Sequence, residues 1–106
     1  MTDELEIVAR LPPMHPGEML REEFLEPLGL SAGRVARACG APRTRIERIV
    51  REQLGTSGDT AVRLGKFFKT SPEFWMNLQA RYGVLTAQRK AADALARIMP
   101  YEPSAA

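Results

Sequence analysis

Residues 31–51, SAGRVARACGAPRTRIERIVR, decide the fold. Ser31 is a preferred N-cap, because its hydroxyl can accept from a backbone N–H of the first helical turn. Val35, Ala36 and Cys39 follow at helical spacing and form one short apolar stripe. Gly40 ends that helix, since glycine takes the left-handed conformation without steric cost. Pro42 restarts a helix at its first turn, where a missing N–H loses nothing. Ile46, Ile49 and Val50 form a second stripe. Two short helices joined by a tight, glycine-containing turn make a helix-turn-helix.

The charges of this stretch fit its shape. It holds Arg34, Arg37, Arg43, Arg45, Arg48 and Arg51 against Glu47 alone, a local net of +5. The residues before it carry two basic and seven acidic side chains, net −5, and those after it seven and five, net +2. The formal charge of +2 for the chain therefore hides a basic centre behind an acidic front. A basic patch on the second helix of such a motif is the electrostatic footprint of DNA binding. Arginine suits that role because its planar fork grips a phosphate or a guanine edge with two hydrogen bonds. The plainer alternative is a two-helix corner with solvated arginines.

A chain of 106 residues with 44% hydrophobic and 26% charged side chains fits one small soluble domain with a single core. No apolar run approaches the ~20 residues that span a bilayer, and the acidic start, MTDELEIVAR, is unlike a signal peptide. The lone Cys39 cannot form an intramolecular disulfide, which fits a cytoplasmic location.

Taken in order, residues 1–13 alternate apolar positions at Leu5, Ile7, Ala9 and Leu11, the period of a strand or extended arm; a leader without fixed structure is the other reading. A first helix is predicted from Pro16 to about Leu28, with His15 as N-cap and Leu20, Phe24, Leu25 and Leu28 as its buried face. Glu22, Glu23 and Glu26 point outward, and Gly29 closes the segment. Gly33, inside the second helix, is costly there unless something approaches it closely. Residues 52–58 read as a polar loop. Asp59 is expected to cap a fourth helix from Thr60 to about Lys69, burying Ala61, Leu64, Phe67 and Phe68. Ser71-Pro72-Glu73 is a strong helix start, and the fifth helix should run to about Tyr82, ended by Gly83. A last, alanine-rich helix is predicted from about Thr86 to Met99, with Ala91, Ala94, Leu95 and Ile98 on one side.

The stretches MHPGEMLREEFLEPLGLS (14–31) and GDTAVRLGKFFKTSPEFWMNLQARYG (58–83) resemble HigA/VapI-type antitoxins, a branch of the Cro/CI-like (XRE) helix-turn-helix proteins. The likeness covers about residues 14–90. It implies an all-α, five-helix, lambda-repressor-like DNA-binding domain, placed at 14–85; the arm at 1–13 and the extra C-terminal helix and tail at 86–106 are read from the residues themselves, and 1–13 and 91–106 lie outside the likeness. It also implies a homodimer that binds double-stranded operator DNA, represses its own operon and silences a RelE/HigB-like ribonuclease toxin. Two departures stand out. Ala32 occupies a place where many relatives have glutamine, and Arg51-Glu52 follows the third helix where many have Asn-Gly.

In such a fold the N-terminal end of the recognition helix enters the major groove. That geometry assigns Arg43, Thr44 and Glu47 to base edges, and Arg48 to bases or phosphate. Ser31, Arg34, Arg51 and Gln53 are assigned to phosphates. Arg45, beside the Ile46 and Ile49 row, is ambiguous. Nothing in the sequence builds an enzyme, a cofactor site or a metal site: there is one histidine and one cysteine, and no nucleophile triad or phosphate loop can be assembled. The competing functions are a free-standing transcription regulator without a toxin, and a protein-interaction module without DNA binding. The acidic front, Asp3, Glu4 and Glu6 followed by Glu18, Glu22, Glu23 and Glu26, is the surface that complements a basic toxin.

Overall fold

In the computed structural model, residues 13–104 are described, and they form an all-helical assembly. Helix α1 covers residues 16–28 in three segments, Pro16–Met19, a π-helical Leu20–Leu25 and Glu26–Leu28. It is followed by α2 (Ala32–Cys39), α3 (Arg43–Val50), α4 (Gly58–Phe68), α5 (Pro72–Lys90) and α6 (Ala92–Ala96). The arm predicted at residues 1–13 lies, but for Pro13, outside the described residues.

The start of α1 follows the sequence reading. His15 is its N-cap, with extended backbone, and His15 Nδ1 accepts from the Gly17 N–H at 2.9 Å. The far half departs from it. Glu26 N–H donates to the Arg21 carbonyl, five residues back rather than four. Pro27 supplies the reason: in an α-helix its ring would meet the carbonyl four residues earlier, and the wider π turn relieves that clash. The longer repeat aligns Leu20 with Leu25, both buried, and rotates Leu28 out to 60% exposure. Met19 is buried as well. The four-residue spacing that put Leu28 in the core assumed an unbroken α-helix.

Helix α2 begins at Ser31, whose hydroxyl accepts from Arg34 N–H at 3.1 Å, and ends at Gly40 with φ 64°. Val35 and Ala36 are buried, and Cys39 is half-buried. Pro42 does not begin α3 but caps it: its ψ of 136° is extended, and Arg43 is the first helical residue. Ile46 and Ile49 point into the core.

Helix α4 starts earlier than predicted. Ser57, not Asp59, is the N-cap, and its hydroxyl accepts from Thr60 N–H at 3.3 Å. Ala61 and Leu64 are buried as expected and Phe68 packs on the core, but Phe67 is exposed. Helix α5 opens on the Ser71 cap, which accepts from Phe74 N–H at 3.1 Å, and then runs through Gly83 to Lys90. Gly83 keeps helical geometry because good helix formers follow it and no turn requires a left-handed residue there. The expected boundary at residues 85 and 86 thus falls inside α5. The predicted last helix is divided: its first residues, 86–90, continue α5, and Ala92–Ala96 form α6, with Leu95 and Ile98 exposed.

The core centres on Trp75, which is fully buried. Its indole N–H donates to the Thr70 hydroxyl at 2.9 Å, and its ring lies 5.2 Å from those of both Phe24 and Phe74. Phe24 in turn stacks at 4.7 Å on Phe68, so aromatic side chains join α1, α4 and α5. Helix α3 is held against α1 and α2, and α2 against α4.

Candidate nucleic-acid interface

Helix α3 buries one face through Ile46 and Ile49 and turns the other outward. Arg43, Thr44 and Arg48 are exposed, and Glu47 is half-exposed. Arg43 Nε lies 3.4 Å from Glu47 Oε1, one helical turn on. The same guanidinium lies over the first turn of α2. A Cβ on Gly33 would stand 3.4 Å from Arg43 Nε and 3.5 Å from Cζ. Arg43 therefore lies within ordinary van der Waals reach of a side chain at Gly33, and the N-terminal ends of α2 and α3 meet on one surface. Ser31 and Arg34 are exposed on the α2 side. Arg51 and Gln53, also exposed, follow α3, and the Gln53 N–H donates to the Arg48 carbonyl at 2.8 Å. Ala32, half-buried at the head of α2, offers no side-chain hydrogen bond to this surface.

Arg45 is different. It is half-buried, and its Nη1 lies 2.6 Å from Asp59 Oδ2. The same carboxylate oxygen accepts from Arg63 Nε at 3.0 Å. Arg63 Nη1 continues to the Cys39 carbonyl at 2.8 Å and the Gly40 carbonyl at 3.2 Å, at the C-terminus of α2. Hydrogen bonds from Arg63 and Arg45 hold the Asp59 carboxyl below the usual carboxylate range.

A second brace holds the far end of α3. Arg21 Nη1 donates to the Val50 carbonyl at 2.6 Å, and Arg21 Nη2 reaches Glu22 and Glu52, each at 3.1 Å. Glu52 sits at φ 60°, left-handed. Sequence reasoning missed Asp59, Arg63 and Arg21 as positioning residues. The four-residue spacing of Asp59 and Arg63 was legible; the partners in α1 and α2 were not, because they come from distant turns.

His15 carries a pH signature. It is buried, its ring stands edge-on to Tyr82 at 5.1 Å, and its Nδ1 must be unprotonated to accept from Gly17. Burial lowers its pKa from the ordinary 6.5, with Glu52 opposing and Arg21 adding to the shift. A group that folds neutral contributes stability that is complete above its unfolded pKa and is lost as pH falls below it. Unfolding midpoints in urea should therefore drop between about pH 7.5 and 5.5. His15→Asn keeps an acceptor at the cap and removes the titration, so its midpoint should be flat over that range. Equal slopes for the two proteins would exclude His15 as the cause.

No family model matches the chain. It is 46% identical over 79 residues to virulence-associated protein I of Dichelobacter nodosus, covering 74% of this chain and 73% of that protein. It is 36% identical over 67 residues to antitoxin HigA-1 of Vibrio cholerae, covering 63% of each. Among solved structures, the fold is similar to the Pseudomonas aeruginosa antitoxin HigA with higBA promoter, at a TM-score of 0.81 and 43% identity, covering 86% of this chain and all of that one. It is likewise similar to antitoxin GraA in complex with its operator, at a TM-score of 0.81 and 39% identity, covering 89% of this chain and 95% of that one.

Proposed function

The chain belongs to the HigA/VapI-type antitoxins of the Cro/CI-like helix-turn-helix class, and from that premise we propose that it is an antitoxin and autorepressor. It binds double-stranded operator DNA as a homodimer, represses its own operon and neutralises a RelE/HigB-like mRNA-cleaving toxin. The observation that carries this reading is the surface where α2 and α3 meet, with Arg34, Arg43, Thr44 and Arg48 exposed together. Arg43, Thr44 and Glu47 read base edges, and Arg48 reaches bases or phosphate. Ser31, Arg34, Arg51 and Gln53 hold phosphates. The exposed Glu22, Glu23 and Glu26 of α1 face the basic toxin.

Two measurements test it. Binding of a duplex carrying the promoter of the chain's own gene should be steep in salt. A dimer that neutralises about six phosphates gives a slope of log affinity against log salt near −5. A flat salt response would remove the DNA reading. Co-expression with the product of the adjacent gene should yield a complex that suppresses mRNA cleavage; failure to associate leaves a regulator without a toxin.

The division of labour on α3 has its own test. Arg43→Ala should lose about 1–3 kcal/mol at one base pair and relax specificity there, whereas Arg51→Ala should weaken all sequences alike. A series of single-base promoter variants separates the two. Uniform losses for both substitutions would reassign Arg43 to phosphate.

A further inference from the structure

Arg45 lies on the recognition helix between two residues assigned to DNA, yet its guanidinium is turned onto Asp59 at 2.6 Å. Asp59 stands in the first turn of α4, where the helix dipole favours an acid. Its carboxylate is shared with Arg63, and Arg63 donates to the last carbonyls of α2, the electronegative end of that helix. One carboxylate thus links α4 to both helices of the helix-turn-helix, to α3 through Arg45 and to the end of α2 through Arg63. Helix α3 packs on α1 and α2, so the Arg45–Asp59 pair is its polar tie to α4. All three side chains are partly solvent-exposed, between 33% and 52%, so the clamp adds little to global stability. Its geometry fixes an angle instead, because a network of two guanidiniums on one carboxylate holds its members more tightly than an isolated pair.

We propose that Asp59 is a specificity-determining residue: it positions α2 and α3 relative to each other through Arg63 and Arg45, and it withholds the Arg45 and Arg63 charges from indiscriminate phosphate contact. The proposal rests on the DNA-binding reading above. Arg45 is then a positioning residue rather than a DNA contact. Without Asp59, two guanidiniums lose their common anion beside the DNA face, and the chain gains one unit of positive charge. Binding to any duplex tightens, while the preference for the cognate sequence falls.

The experiment compares wild type, Asp59→Asn, Asp59→Glu and Asp93→Asn on two probes, a duplex carrying the chain's own promoter and a random-sequence duplex of equal length. Asp93→Asn changes the net charge by the same amount on α6, outside the clamp. Asp59→Asn should melt near wild type, bind the random duplex more tightly with a salt slope steeper by about one per protomer, and lose about tenfold of its promoter preference, the worth of about one base-pair contact. Asp59→Glu restores the carboxylate and should recover part of that preference. Asp93→Asn should keep it. Wild-type preference in Asp59→Asn, or an equal loss in Asp93→Asn, overturns the clamp and leaves the DNA reading intact. A wild-type protein that prefers neither duplex overturns that reading, and the clamp with it.

Discussion

Gly17→Ala should destabilise the domain by roughly 3 kcal/mol or more, although alanine is the better helix former. Gly17 is buried in the first turn of α1, and a Cβ there would fall within the van der Waals envelope of the Ile49 carbonyl oxygen. Both sides of that contact are backbone, so no rotamer change relieves it. The His15 imidazole closes another side, with Nδ1 3.0 Å from the same Cβ position. Helix α1 must then lift from α3, which disturbs the Arg21 brace on Val50 as well. Gly83 supplies the control: it is also helical and has nothing within 4 Å of a Cβ. Gly83→Ala should stabilise by about 0.5–1 kcal/mol. Urea unfolding midpoints of the two variants should move in opposite directions. If both rise, α1 does not rest on α3 as closely as described.

Trp75→Ala should cost about 3–5 kcal/mol, the range for deleting a large buried aromatic side chain. The indole is fully buried and touches the ring cluster that joins α1, α4 and α5, so the cavity opens at the junction of three helices. The Thr70 hydroxyl loses its donor at the same time. Small domains are stable by only about 5–15 kcal/mol, so this single change removes a large share of the stability and should lower the melting temperature steeply. Trp75→Phe retains most of the volume and loses chiefly the hydrogen bond, at a cost of about 1–2 kcal/mol. Circular dichroism melts should rank wild type, Trp75→Phe and Trp75→Ala in that order. Near-identical melts for Trp75→Ala and wild type would mean the core is organised elsewhere.

Features governed by neighbouring residues were legible in the sequence. Ser31, Gly40 and Ser71 bound their helices as read, because a cap or a left-handed turn depends on atoms within four residues. The inner stripes of α2 and α3 followed from spacing, and Val35, Ala36, Ile46 and Ile49 are all buried. The exposed residues of the candidate DNA surface were legible for the same reason, since they occupy the faces those stripes leave over.

The sequence by itself determined the helical make-up of the described residues, the helix-turn-helix at their centre and the basic charge on it, because each depends on local periodicity, capping and composition. Only the tertiary structure decided three further things. The π turn that Pro27 induces kept Leu25 in but rotated Leu28 out, since one added residue per turn rotates everything after it. Among Ser57, Asp59 and their neighbours, local rules offered rival caps; Asp59 went instead to Arg45 and Arg63, because two guanidiniums bind a carboxylate more strongly than a backbone N–H does. Gly17 is explained by the Ile49 carbonyl, which comes from a helix far along the chain. Those contacts are made between residues whose distance along the chain carries no information about their distance in space, and that is why no reading of neighbours could supply them.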